Sequence, residues 1–173
     1  MVTKTGGVVG HAMVKYKGDY DFDGLYKLIS NWIIDRRYKF DEKRYKDKID
    51  NPLGTEVEID FVGKRKETSY IVLEIAVSIH AWNYKEKDGI LHEEKKRYTG
   101  GRVTIEIKTS IVFDWQDSFK GSRIKELMGD FYFWIRKKEF ELTHVDNHEY
   151  EALRLEYEIK KFLRMETDTH AYK

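Results

Sequence analysis

The sequence has no cysteine, a single proline and very few side-chain amides. Without cysteine there are no disulfides, no thiolate nucleophiles and no cysteine-held zinc or iron–sulfur sites. Asn31, Asn51, Asn83, Asn147 and Gln116 are the only amides in 173 residues, and none of the asparagines opens an Asn-x-Ser/Thr sequon. Scarce amides beside abundant Lys and Glu match a hyperthermophile composition. Drift in an AT-rich genome produces the same excess of Lys and Tyr. No apolar run approaches the roughly 18 residues of a membrane span. Residues 1–19 carry charge and glycine where a signal peptide needs an apolar stretch, so a cytoplasmic location is expected. GxSxG, P-loop and GxGxxG patterns are all missing. Hence no catalytic residue, metal ligand or cofactor is assigned.

What remains is 40% hydrophobic and 36% charged residues with a formal net charge of +1. That balance predicts one folded domain over residues 1–173, large enough to bury a core. Val8, Ala12, Val14 and Tyr16 alternate with Val9, His11 and Met13, which predicts a first strand over 8–16. Phe22, Leu25, Ile29, Trp32 and Ile33 share one helical face, with Asp21 or Asp23 as the cap. A turn and a short helix from about Asp41 to Asn51-Pro52 are expected next. Period-two alternation then marks strands at 55–61, 71–81 and 103–115. Lys87-Asp88-Gly89 and Thr99-Gly100-Gly101 read as turns around a weaker strand at about 91–98. Two C-terminal helices follow, the first opening at Ser122 and the second at Asp146, where Glu149 completes a capping box. The expected fold is α+β: an antiparallel meander of four to six strands with helices on one face.

Three groupings have chemical potential. Asp19, Asp21, Asp23 and Gly24 match the front half of a calcium loop, but the twelfth position is Ser30 where a bidentate Glu belongs. Acids at a helix start serve equally as caps. His144 and His148 are four residues apart, yet a cap at Asp146 would leave His144 outside the helix and both side chains solvated. Glu56, Glu58, Asp60, Glu74 and Glu106 share a polar sheet face, which reads as a wet surface. Basic residues interleaved with tyrosine over 36–46 are where nucleic acid would bind, but a near-neutral chain argues against that partner.

The aromatic run Phe131-Tyr132-Phe133-Trp134 is the most unusual feature. At 100° per residue, Ile124, Leu127, Met128, Phe131, Trp134 and Ile135 form one face, expected to be core. Phe133 and Phe140 fall about 160–180° away from Ile124. On the last helix, Ala152, Leu155, Ile159, Phe162 and Leu163 form the expected core face. Tyr150, Leu153 and Tyr157 form a second stripe about 100–160° from Ala152. Both helices are therefore apolar on two sides. The second stripes of Phe133, Phe140, Tyr150, Leu153 and Tyr157 pack as core or dock a partner, commonly a second copy. Alternatively, aromatics line a ligand pocket, for which Trp32, Phe113, Trp115 and Trp134 are the expected walls.

The order strand, helices, antiparallel meander, long C-terminal helix is similar to the helix-grip order of START and Bet v 1-like domains. It covers most of the chain but no residue motif. The resemblance implies an apolar small ligand held between the sheet and the last helix. The function expected from the residues themselves is a non-catalytic binding or assembly protein that self-associates through its aromatic-rich C-terminal helices. A ligand-holding helix-grip domain and a nucleic-acid binder are the alternatives.

Overall fold

The computed structural model describes residues 6–48, 55–91 and 94–165. Among these, β1 (Gly7–Tyr20), β2 (Lys39–Lys48), β3 (Thr55–Lys66), β4 (Ile71–Leu91) and β5 (Glu94–Phe113) form one antiparallel sheet in the order β1-β5-β4-β3-β2. The helices are α1 (Phe22–Asp35), α2 (Arg123–Phe140) and α3 (Asp146–Phe162). The fold is α+β, with α1 and α3 packed on one face of the sheet. No helix of the described residues is long and apolar enough to cross a membrane.

Alternation in the strands sets that face. Val57, Ile59 and Phe61, then Ile75, Val77 and Ile79, then Ile105, Ile107 and Ile111 are almost wholly buried. Leu25, Ile29 and Ile33 of α1 and Ala152, Leu155 and Ile159 of α3 close over them. Asp21 caps α1, its carboxylate accepting from the Gly24 amide at 2.8 Å. This is the cap expected from the acidic triplet; Asp19 lies in β1 and Asp23 in the first helical turn.

The structure departs from the sequence reading in several places. Lys39–Lys48 is an edge strand paired to β3, where a helix is predicted from Asp41. Asp41 to Asp47 are exposed, and only Phe40 leans on the core, against Phe61. A charged edge strand has no apolar alternation to reveal it, and its charge discourages edge-to-edge association. Residues 51–52 lie outside the described residues.

Residues 87–89 and 99–101 are paired within β4 and β5, so one long hairpin replaces the two predicted turns. Gly101 serves a close approach. β4 bulges between Trp82 and Lys85 with Asn83 in the left-handed region, and a Cβ on Gly101 would meet the Trp82 carbonyl oxygen at 2.7 Å. β1 also bulges, between Val8 and Gly10, so that Val9 leans on the core and Val8 is exposed, the reverse of strict alternation. Gly10 lets α3 cross β1: a Cβ there would lie 2.5 Å from Thr109 Oγ1 and 3.1 Å from the Glu149 Cα. Gly10→Val is expected to cost about 1–3 kcal/mol by forcing the helix off the strand, read as a drop in melting temperature.

The C-terminal helices are not separated at Asp146. A π-helical turn, Glu141–Val145, joins α2 to α3, and Asp146 is itself helical at φ −61, ψ −44. The segment from Phe140 to Val145 contains no Gly or Pro, so nothing stops the helix. The π-turn absorbs about one extra residue. Buried positions therefore step by three or four along α3 (Val145, His148, Ala152, Leu155, Ile159) but by five from Phe140 to Val145.

Candidate functional site

Helical continuity fixes how α2 is turned. α3 must point His148, Ala152, Leu155 and Ile159 at the sheet, and an unbroken rod then points Gly129, Tyr132, Phe133 and Phe140 the same way. Gly129 seats against Phe119, where a Cβ would come within 2.8 Å. Tyr132, Phe133 and Phe140 join Tyr70, Phe113 and Phe119 in an aromatic cluster. Its ring centroids lie 5.1 Å apart for Tyr70–Tyr132, 5.4 Å for Phe113–Phe133 and 5.3 Å for Phe113–Phe140. The Tyr70 hydroxyl has no hydrogen-bond partner among the described residues. Burial, with Asp114 nearby, raises its pKa to about 12.

This corrects the predicted orientation of α2. Ile124, Leu127, Met128, Phe131, Trp134 and Ile135, expected to be core, are exposed to between 55% and 73%. Phe133 and Phe140, expected either to pack as core or to dock a partner, are intramolecular packing, with Phe140 buried. Tyr150, Leu153 and Tyr157 are exposed, as a docking stripe requires. Through the π-turn they follow Leu142, also exposed, along the outer face of the same rod. Phe131 and Trp134 stack on one another there, with centroids 6.5 Å apart.

The four pocket residues expected from sequence are not brought together. Trp32 is buried on α1 with Arg36 stacked 3.7 Å over its ring. Trp134 points outward. The region between α3 and the sheet, where the resemblance implies a ligand, holds the fully buried Leu155, Ile159, Ile105 and Ile107 of the core. Phe113 and Trp115 do share a groove, but it lies at the end of the sheet, beside the β3–β4 turn and the β5–α2 connection.

A buried polar network went unseen in the sequence. His148, 1% exposed, places Nε2 2.9 Å from the Glu74 carbonyl oxygen and 3.1 Å from that of Ser110. Carbonyl oxygens only accept, so Nε2 donates. Nδ1 lies 2.8 Å from Glu151 Oε2 and 3.2 Å from the Tyr38 hydroxyl. Tyr38 donates to Glu151, and Arg65 Nη1 reaches Glu151 Oε1 at 3.2 Å while its guanidinium lies 4.4 Å from the Tyr38 ring centre. Burial alone would push the Glu151 carboxyl up. The hydrogen bonds with His148 and Tyr38 and the Arg65 charge outweigh it and hold the pKa at about 2. Burial and the bond to Glu151 push the Tyr38 hydroxyl well above the ordinary tyrosine value. Four residues from α3, β3 and the α1–β2 connection are thereby pinned together. His148 is thus a bonded core residue, not the solvated one expected, and His144 is half-buried with its ring 6.4 Å from that of Phe140.

On the opposite sheet face Glu56, Glu58 and His80 bring donor atoms within 4.8 Å of one another, a grouping able to hold a metal. Arg44 already bonds Glu58, and His80 stacks on Trp82 with centroids 3.7 Å apart. In the basic 36–46 segment, Lys43 bonds Asp41 and Arg44 bonds Glu58, so part of its charge is neutralised within the chain.

The architecture is thus an antiparallel sheet crossed by a long C-terminal helix whose front half shows an apolar face to solvent. No family model matches the chain, and no curated protein does. Among solved structures it is similar, over 92% of its length, to the di-domain ARO/CYC StfQ from the steffimycin biosynthetic pathway, at 11% identity and a TM-score of 0.25. The chain spans about half of that protein, 51%. So low a score carries no functional inference.

Proposed function

We propose that this chain is a binding and assembly protein that pairs with a second copy of itself through the outer face of α2. One observation carries the reading: six large apolar side chains, Ile124, Leu127, Met128, Phe131, Trp134 and Ile135, are more than half exposed on one helical stripe. Their spacing of three and four residues is that of a helix–helix seam. Side chains of this size offer roughly 100–200 Å² each, on the order of 800 Å² together, which is what one partner contributes to a standard interface. The largest apolar patch of an ordinary monomer is roughly 300–600 Å².

A second copy suits this stripe because the stripe is close to self-complementary. A two-fold axis midway between Gly129 and Asp130 sets Ile124 of one copy opposite Ile135 of the other, and Met128 opposite Phe131. An isologous contact of this kind closes on itself as a dimer. Leu142, Tyr150, Leu153 and Tyr157 extend the apolar face beyond the centre. Light scattering over a concentration series tests the reading. A mass twice that of one chain at about 10 μM and above supports it. A single-chain mass at every concentration overturns it.

A further inference from the structure

We propose that the groove at the end of the sheet binds an amphiphilic organic anion, a carboxylate or sulfonate on an apolar body. The groove encloses about 1260 Å³. Its floor is apolar: Val72 and Val112, paired across β4 and β5, with Phe113 at the end of β5 and Trp115 and Phe119 from the β5–α2 connection. Trp115 is fixed in place, its indole Nε1 donating to the Thr68 carbonyl at 3.2 Å. Concave, mostly apolar sites with a few placed polar groups are the usual form of small-molecule sites.

The rim decides the charge of the occupant. Six cations and five acids line the groove. Glu67 pairs with Arg65 at 3.1 Å, Glu74 with Lys64 at 2.5 Å and Asp117 with Lys120 at 2.6 Å, and Glu126 is also engaged. Asp114 accepts from the amides of Ser118 and Phe119. Arg37, Lys39 and Lys66 also line the groove, and none of them has an acidic partner among the described residues. Lys66 holds its ammonium 4.2 Å from the Trp115 ring centre, where a flat apolar group and its attached anion are met by one residue pair. Three cations without an acidic partner among the described residues, set above an aromatic floor, complement an anionic head on an apolar body. A neutral apolar ligand would leave the rim unused, and an inorganic anion would leave the floor unused.

Two fluorescent probes separate these possibilities: 1-anilinonaphthalene-8-sulfonate and its uncharged relative N-phenyl-1-naphthylamine. The full chain is expected to bind the sulfonate about ten-fold more tightly than the neutral probe, as one or two charge-assisted contacts provide. Lys39→Glu with Lys66→Glu should remove that advantage and leave the neutral probe's affinity unchanged. Trp115→Ala should weaken both probes. If circular dichroism shows the charge-reversed chain unfolded, Lys39→Gln with Lys66→Gln reads the same loss without repulsion. Equal affinity for both probes in the wild type, or sulfonate binding indifferent to the Lys39 and Lys66 changes, overturns the proposal. So does sulfonate binding that survives Trp115→Ala but disappears with Phe131→Ser and Trp134→Ser, since it places the probe on the outer face of α2.

Discussion

Trp134→Ser is expected to abolish self-association while leaving the fold intact, and Phe133→Ser, one residue away, is expected to do the reverse. The two side chains leave α2 about 100° apart. Trp134 is 73% exposed and its removal takes little from the monomer. Phe133 leans on Phe113 at 5.4 Å and Phe140 at 6.3 Å, inside the aromatic cluster that also holds Tyr70. Emptying that half-buried position should cost about 2–3 kcal/mol. Melting temperature and oligomer mass, measured on the same two variants, therefore move in opposite pairs. Should Phe133→Ser dissociate the assembly and Trp134→Ser destabilise the chain, α2 is turned the other way.

Glu151→Gln is expected to lower stability by about 3 kcal/mol at neutral pH, the free-energy equivalent of a carboxyl held near 2 instead of its ordinary value. A depressed folded-state pKa contributes stability that is complete above the unfolded-state pKa and is lost as pH falls through the folded-state one. The gap between wild type and variant should thus be full at pH 7, begin to close near pH 4.5 and be mostly gone near pH 2. The variant also leaves His148 and Arg65 without the carboxylate they share, inside the seam between α3 and β3. Denaturant titrations at pH 7 and pH 2.5 measure both gaps. Equal gaps at the two pH values contradict the account.

The strands at 55–61, 71–81 and, as far as Phe113, 103–115 were legible because half-buried strands alternate, and α1 was legible because its apolar face begins at a capping aspartate. β2 was not, since an exposed edge strand carries charge on both sides and owes its form to pairing with β3. The long β4–β5 hairpin was hidden by Gly89, Gly100 and Gly101, which look like turn residues; at Gly101 the glycine accommodates a bulge instead. In α2, two apolar faces were legible but their assignment was not. The richer stripe is read as core by periodicity alone, whereas the π-turn and the fixed rotation of α3 give the core the poorer one. No composition signal marks a five-residue step. His148 could have been found by its place in the buried stripe of α3, four residues before Ala152, had the helix been continued through Asp146. Its partners Tyr38 and Arg65 lie too far away in sequence to be anticipated.

The central claim is that the exposed stripe of α2 is a seam between two copies of this chain. Sedimentation equilibrium of the wild type beside the Phe131→Ser, Trp134→Ser double variant tests it most directly. The account predicts a reversible dimer for the wild type and a single chain for the variant, with matching circular dichroism spectra. A wild type that sediments as one chain at concentrations of about 100 μM, or a variant that still dimerises, would contradict it.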